Sequence, residues 1–528
     1  MNVETHRFSV NRRQFLQLTG GTATLFLLSA CGPVVSPAVS TPAGSALTPK
    51  RGGTLRIATP DDLTGFYPNR LGQSFTDVRV ADMLYETLIR RAEAEEGVPL
   101  YPVLAESWEA NEDATLYTFF LRKGVTFHHG TPFTAKDVEH TFNRLRDPAF
   151  QGVVSGLDAI EQLVVVDDFT VEFHLKSTNV TWPYNMGQQG LKIVPHDRTD
   201  EQLAEEPAGT GPFLVAEWVQ GERIVGKRNE KYWDSERPYL DELQMLIIPE
   251  ATTQIAALMS GSVELVQSVE RENLVLLEGA ADVVVLECRQ GLYPVFAMRV
   301  DQKPFDDVRV RQAVKHAVDR AGLVAAILQG RGSIGNDQPI DPGSPFWANV
   351  APLAYDVEKA KALLAEAGYP EGLELTLHTS ELMDGGPGVN AAAVALQEML
   401  KAAGITLTIE NVPGASYYAE AYLQVPFFTS WFPTFSEPDA ILPLAYISTG
   451  AYNESGWGDP QVDEWVAAGR TELDLEKRKT LYAEIQQRIS TEGGVLIPYF
   501  APYLQAASTR LQGHFPGLRL VFRDFWLQ

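Results

Sequence analysis

The fold class is set by the stretch LELTLHTSELMDGGPGVNAAAVALQEMLKAAGITLTI, residues 373–409. Its first five residues alternate apolar and polar side chains, as a β-strand with one buried face does. Residues 389–403 then carry apolar side chains at the 3.6-residue spacing of a helix, which stops at Gly404. Residues 405–409 alternate again. This pattern predicts a βαβ unit with parallel strands, and ligands gather at the carboxyl ends of such strands.

Local patterns outside this unit also predict a mixed α/β chain. Residues 171–176 alternate in polarity and follow an Asp167-Asp168 turn and a short apolar run, which indicates a hairpin with one solvated face. Thr134 with Asp137 forms a capping box ahead of a helix. Asp356 is predicted to cap a further helix.

Length and charge narrow the function classes. At 528 residues the chain exceeds what one hydrophobic core supports, so at least two lobes are expected. The formal net charge of −25 argues against a nucleic-acid partner, because a phosphate backbone would be repelled. Cys31 and Cys288, the two cysteines in the sequence, can form neither a disulfide framework nor a four-ligand zinc site.

The first fifty residues have the pattern of an export signal and a tether. Arg12-Arg13 precedes an apolar stretch that is too short to span a bilayer and that ends in Leu28-Ser29-Ala30-Cys31. The arginine pair resembles the twin-arginine export motif, and the four residues ending at Cys31 resemble a lipobox, whose cysteine is lipidated. Residues 32–50 are rich in proline and serine and are predicted to be a spacer. We expect a signal peptide over 1–31 and a lipid anchor at Cys31 on the outer face of the cell membrane or in the periplasm.

Common catalytic layouts are missing from the sequence. It contains no His-Glu-x-x-His and no Gly-x-Ser-x-Gly motif. Residues 221–227 have the spacing of a phosphate loop, but Arg228 replaces the Ser or Thr and the segment is predicted to be a strand. The adjacent His128 and His129 are predicted to be a loop pair instead of a metal site. A receptor or an extracellular hydrolase, such as a glycosidase using two of the 68 acidic residues, stays open.

A series of motifs resembles one protein family in order along the chain. The most specific block is residues 117–138, which include the segment LRKGVTFHHGTPFTAKDV. The others are Gly52–Arg56 as an opening strand, Leu84–Leu88 as a first-lobe helix, Pro102–Trp108, Gly209–Phe213, Asn229–Trp233, Pro304–Ala313 and Ala360–Tyr369. Together they resemble the extracytoplasmic solute-binding proteins of ABC importers, family 5, the dipeptide, oligopeptide and nickel type.

This resemblance implies a periplasmic-binding-protein-like type II α/β fold, with two lobes joined by a hinge and an extra subdomain inserted in the first lobe (cluster C type). The implied limits are 51–290 for lobe I including the insert at about 76–185, 291–498 for lobe II, and 499–528 for a return to lobe I. Chain crossings are implied near 286–297 and 495–506. The implied role is solute binding without catalysis or cofactor, by a monomer that delivers its solute to an ABC permease and its ATPase subunits.

The resemblance leaves the solute open. Peptide-binding relatives anchor the ligand's amino group with an Asp three residues after a Trp, but here Thr434 follows Trp431. A threonine hydroxyl makes a weaker bond to an ammonium than a carboxylate does, so free-amino-terminus peptides are disfavoured. Glu437 could replace the anchor or serve the following turn. Arg299, where relatives often have Asn, could meet an anionic group of the ligand or pair with an acidic side chain.

Aromatic side chains complete the predicted site. Phe435 lies beside the missing anchor, Tyr452-Asn453 follows where relatives carry a pocket-side Asn, and Tyr67 falls at the rim of the first lobe. Rings and short hydroxyls suit sugars as well as peptides, so peptides, oligosaccharides and chelated metals remain candidate solutes. The nine scattered histidines offer no ligand set for a bare nickel ion. A ligand sensor without transport is a further alternative.

Overall fold

The computed structural model describes residues 48–528 except 67, 70–73, 92–99, 148–149, 151–153, 155, 352, 385–386, 514–516 and 518–519. The described strands are β1 (Thr54–Thr59), β2 (Ile89–Arg91), β3 (Leu100–Pro102), β4 (Ala105–Ala110), β5 (Leu116–Leu121), β6 (Ile160–Asp167), β7 (Thr170–Leu175), β8 (Phe213–Val219), β9 (Arg223–Arg228), β10 (Glu242–Ile247), β11 (Leu265–Val266), β12 (Val283–Met298), β13 (Ser333–Ile334), β14 (Leu373–Thr379), β15 (Ile405–Asn411), β16 (Phe427–Pro433), β17 (Val495–Leu496), β18 (Tyr499–Ser508), β19 (Leu511–Gln512) and β20 (Trp526–Leu527).

The described helices are α1 (Phe75–Leu84), α2 (Ala135–Arg146), α3 (Trp182–Met186), α4 (Asp200–Glu205), α5 (Ala251–Met259), α6 (Val308–His316), α7 (Arg320–Ile327), α8 (Val357–Glu366), α9 (Val389–Ala402), α10 (Gly414–Glu420), α11 (Leu442–Ala445), α12 (Pro460–Thr471) and α13 (Leu475–Glu492). Within the described ranges, none of these helices has the length and hydropathy needed to cross a bilayer. Cys31 and the predicted signal peptide lie outside the described residues.

One large sheet runs through the body in the order β15-β14-β16-β12-β18-β11-β1-β10-β9-β8. Its two long central strands, β12 and β18, are antiparallel and pair from Val283↔Ser508 to Leu292↔Ala501. A β-bulge interrupts this pairing between Cys288 and Gly291. Strands β14 to β16 lie on one side of the central pair and form the second-lobe part, and β11, β1 and β10 to β8 form the first-lobe part.

The predicted βαβ unit is confirmed. Strands β14 and β15 are parallel from Leu373↔Ile405 to Thr379↔Asn411, and α9 connects them. One face of α9, including the fully buried Leu396 and Leu400, packs into the second-lobe core. Strand β16 is parallel to β14, so the carboxyl ends of β14, β15 and β16 point the same way.

A separate four-stranded sheet, β4-β5-β7-β6, is inserted in the chain between first-lobe strands. The predicted hairpin is its β6-β7 pair, and the predicted helix is α2, in which the Thr134 amide donates to Asp137 Oδ2 at 2.7 Å. The sheet's core takes side chains from Leu88 to Ile193. The predicted start of the insert near residue 76 falls instead in α1, which packs into the first-lobe core.

The signature segments of the first lobe are structural. Residues 84–88 were expected to be helical, but α1 ends at Leu84 and Tyr85 is already extended, with φ −125° and ψ 151°. Gly209 packs directly on this turn, because a Cβ there would lie 1.9 Å from the Leu84 carbonyl oxygen. Residues 223–228 form strand β9, as predicted, so the phosphate-loop spacing at Gly221 carries no loop of that kind.

Candidate functional site

The first-lobe part places a cavity of about 230 Å³ at the carboxyl ends of parallel strands. Strand β1 is parallel to both β10 and β11, so the residues that follow all three strands meet at one edge. Those residues include Pro60, Pro249 and Gln267, and they line the cavity with Arg79 and Tyr503. The Arg79 Nε donates to Gln267 Oε1 at 2.7 Å, which holds the guanidinium at the cavity wall.

A second cavity, of about 390 Å³, lies where the central strand pair meets the carboxyl end of β16. Its lining comes from the bulge of β12, from β18, from the segment after β13 and from the residue after β16. The lining residues are Glu287, Cys288, Gly291, Gly332, Ser333, Asp341, Pro342, Gly343, Thr434, Phe500, Ala501 and Pro502.

The two cavities are neighbours on one face of the β12–β18 pair. Cys288, in the second cavity, is directly opposite Tyr503, in the first. Directly opposed residues of antiparallel strands project from the same face. Burial and the neighbouring Cys288 raise the pKa of the Tyr503 phenol, so the hydroxyl stays protonated at physiological pH. The central pair is therefore the floor of one cleft with a wall from each lobe, which we call the cleft below.

Thr434 fixes the second cavity's wall to its floor. Its amide donates to the Gly291 carbonyl at 2.9 Å, and its hydroxyl oxygen accepts from the Gly291 amide at 2.9 Å. Only 6% of the residue is exposed. The end of β16 is thus pinned to the bulge of β12 by the residue that replaces the expected Asp.

Glu437 is a buried carboxylate without a hydrogen bond. It is 5% exposed, and both of its carboxylate oxygens are buried and accept nothing. Burial raises the pKa of Glu437 to about 8, while the nearby guanidinium groups of Arg478 and Arg91 lower it. The backbone carbonyl does serve the following turn, because it accepts from the Ala440 amide at 3.1 Å.

Arg299 lies at the other end of β12 from the bulge and is paired with an acidic neighbour. Its Nε and Nη2 donate to Asp301 Oδ1 at 2.9 Å and Oδ2 at 2.6 Å. This fork holds the pKa of the Asp301 carboxyl below its usual value. Of the two alternatives left open by the sequence, the acidic partner is the one that the structure contains.

The other predicted site residues lie outside both cavities. Trp431 is half-buried against a small second-lobe cluster, and Phe435 packs on the larger second-lobe core. Tyr452 is 50% exposed, whereas the Asn453 amide donates to the carbonyls of Ile447 at 3.0 Å and Trp457 at 2.7 Å. Tyr67 lies outside the described residues. The assignment of these five residues to the solute stays a prediction.

The sequence reasoning missed the floor of the cleft. Cys288, Tyr503 and Asp341 carry no motif, and their meeting depends on strands that are distant in the chain. It also missed Glu454, which is 3% exposed in the second-lobe core and whose pKa burial raises to about 7, against the lowering effect of the Ser430 and Tyr422 hydroxyls. In the part of the chain that the structure describes, no three His, Cys, Asp or Glu residues are grouped to hold a metal ion.

Comparison with known proteins identifies the fold and the family. The family described as bacterial extracellular solute-binding proteins, family 5, matches residues 99–453. Heme-binding protein A of Haemophilus influenzae is 32% identical over 387 residues, which is 68% of this chain and 69% of that protein. Di/tripeptide-binding protein 2 of Pseudomonas aeruginosa is 28% identical over 520 residues, 92% of this chain and 96% of that one.

A solved structure of the same kind covers nearly the whole body. The ABC transporter-associated periplasmic binding protein DppA of Helicobacter pylori, in complex with the peptide STSA, superposes with a TM-score of 0.73 at 25% identity, covering 90% of this chain and 98% of that one. The predicted two-lobed type II periplasmic-binding-protein fold is confirmed. The chain belongs to family 5 of the bacterial extracellular solute-binding proteins and is the extracytoplasmic solute-binding component of an ABC importer.

Proposed function

We propose that this protein captures a small solute in the cleft and delivers it to an ABC permease and its ATPase subunits. The observation that carries this proposal is that the 230 Å³ and 390 Å³ cavities lie side by side on the β12–β18 floor, with walls from different lobes. A solute that contacts both walls stabilises the closed arrangement, which a permease can recognise. No chemical change of the solute is part of this role.

We propose lobe limits of 51–290 and 291–498, with 499–528 returning to the first lobe. The sheet supports this division, because β12 and β18 are the strands that join its two parts. The insert is assigned to residues 88–193, the range that supplies the four-stranded sheet's own core. The bulge between Cys288 and Gly291 is the point at which the joining strands can bend most easily.

The solute is proposed to be a peptide or another small polar molecule. Relatives are named for di- and tripeptides, glutathione and heme, so the family spans several solute chemistries. The cleft wall carries the acidic Glu270, Glu287 and Asp341 against one arginine, Arg79, which favours a solute with a cationic group.

Native mass spectrometry of the purified protein tests the proposal, because a solute trapped between the lobes is detected by its mass. We expect a discrete adduct that is released unchanged on denaturation. A protein that holds no adduct and binds none of peptides, sugars or metal chelates would contradict the proposal. A released molecule that is a cleavage product would favour the hydrolase alternative.

We propose further that the protein is a lipid-anchored monomer held by Cys31. The support is the lipobox-like Leu28-Ser29-Ala30-Cys31 and the proline-rich spacer that follows. The Cys31→Ser variant should move from the membrane fraction to the soluble fraction on cell fractionation. Cys288→Ser is the matched control and should stay in the membrane fraction; equal membrane association of both variants would refute the anchor.

A further inference from the structure

The insert and the second lobe touch at a polar contact near Glu437. The Thr181 hydroxyl donates to Asp439 Oδ2 at 2.8 Å, and the Val180 amide donates to the Arg470 carbonyl at 2.8 Å. Arg470 Nε in turn donates to Asp439 Oδ1 at 2.6 Å. These bonds hold the two regions together beside Glu437.

Three polar groups at this contact are buried and unpartnered. They are both carboxylate oxygens of Glu437, the Nε of Arg478 and the hydroxyl of Tyr482. Arg478 is 9% exposed and lies over the Phe346 ring at 5.0 Å, yet it forms no ion pair with Glu437 within 4.0 Å. Buried charges are normally hydrogen-bonded, because leaving them bare costs several kcal/mol. We call the space between these two side chains the Glu437–Arg478 gap.

The gap and the second cavity share their framing segments. Asp341, Gly343 and Thr434 line the cavity, while Phe346 and Glu437, three residues further along each segment, frame the gap. The segments are tied together, because the Ser344 hydroxyl donates to the Ser436 carbonyl at 2.7 Å. A solute seated in the cavity can therefore extend one end toward the gap.

The bare groups specify the chemistry of that end. Glu437 lacks donors and Arg478 lacks acceptors, so one occupant must offer both. An ammonium and a carboxylate on the same carbon do so, and each would form a charge-assisted bond. We propose that the Glu437–Arg478 gap is the subsite for an α-amino-acid head group of the solute, with the ammonium on Glu437 and the carboxylate on Arg478.

This subsite rests on the proposed function and predicts a proton release. The pKa of Glu437 is about 8 because burial and Asp439 raise it more than Arg478 and Arg91 lower it; Tyr184 and Tyr482, the other titratable neighbours, are neutral. The empty side chain therefore holds a proton at pH 7. An ammonium favours the ionised carboxylate, so docking lowers this pKa and about one proton leaves.

The test uses the full-length protein, with glutathione and the twenty free L-amino acids as probes. Glutathione carries an α-amino-acid head group on its γ-glutamyl end, and its N-acetylated form lacks the ammonium. Calorimetry at pH 7 in two buffers of different ionisation enthalpy gives both the affinity and the number of protons released. We expect at least one probe to bind with release of about one proton, and N-acetylation to weaken its binding at least about tenfold.

Variants separate the subsite from a general loss of folding. Glu437→Gln should weaken the probe at least about tenfold and abolish proton release, and Arg478→Gln should weaken it while release persists. Glu454→Gln removes a different buried carboxylate of the same lobe and should change neither quantity.

Two outcomes overturn the subsite while leaving solute capture intact. One is a retained native solute without an α-amino-acid head group, combined with no binding of any probe. The other is a Glu437→Gln variant that binds as tightly as the wild type. Absence of any bound solute or probe, by contrast, contradicts the proposed function as well.

Discussion

Glu86 in the first lobe and Glu437 in the second are both buried carboxylates, yet their surroundings are opposite. Glu86 accepts hydrogen bonds from the Tyr232 hydroxyl at 2.6 Å, the Trp233 indole at 2.9 Å and the Thr210 hydroxyl at 3.0 Å. Glu437 accepts none. Burial raises the pKa of both groups, but donors oppose this effect only at Glu86. A buried charge whose bonds are complete holds the fold together, whereas one whose bonds are missing is available to a solute.

The largest expected effect follows from removing the bonded member. Glu86→Ala should lower the free energy of unfolding by about 4 kcal/mol, because three buried donors lose their acceptor. Urea unfolding followed by fluorescence measures this loss. Glu86→Gln keeps one acceptor oxygen and should lose less; an alanine variant as stable as the wild type would remove the contrast between the two sites.

A smaller, pH-dependent effect is expected at the bare member. The folded pKa of Glu437, about 8, is above its ordinary 4.5, so the folded state keeps a proton that the unfolded state releases. Stability is therefore lost as pH rises from about 5 to 8. Glu437→Gln should match the wild type at pH 5 and exceed it near pH 8 by about 3 kcal/mol in urea unfolding. A constant difference between the two proteins across this range would show that Glu437 is not protonated.

The smallest effect is expected at Arg299, a charged residue that is already paired. Its fork to the half-exposed Asp301 contributes less than about 1 kcal/mol, because exposed ion pairs are screened by solvent. Arg299→Ala should leave the solute retained in native mass spectrometry unchanged and lower the melting temperature slightly. Loss of the solute adduct in this variant would restore Arg299 as a binding residue and weaken the rule drawn from the two glutamates.

Local pattern made most of the fold predictable. Alternation, helical spacing and caps identified the β14-α9-β15 unit, the β6-β7 hairpin and α2, since each of these is decided by residues close in sequence. The family motifs were also informative, and the structure shows why. Three of them meet on one side chain, because Glu86 is bonded by Thr210 and by Tyr232 and Trp233.

The candidate site was only partly predictable. Strand alternation cannot show that Cys288 will face Tyr503, because their pairing joins segments that are more than two hundred residues apart. Thr434 was recognised as an unusual residue, but its bond to Gly291 needed the bulge to be seen. For Glu437 the sequence offered two roles, and the missing hydrogen bonds that favour one of them are a property of the packed state.

The bulge of β12 gives the cleft a means of measuring its contents. A Cβ at Gly291 would lie 2.1 Å from the Ala501 carbonyl oxygen, so the floor is thinnest exactly where the joining strands bend. A solute that rests on this bend shares its position with the pivot. A molecule that is slightly too thick would act as a wedge at the fulcrum, where a small displacement opens the distant rims of the lobes widely. Size selection can therefore be mechanical, with leverage amplifying a misfit that the contacts alone would tolerate.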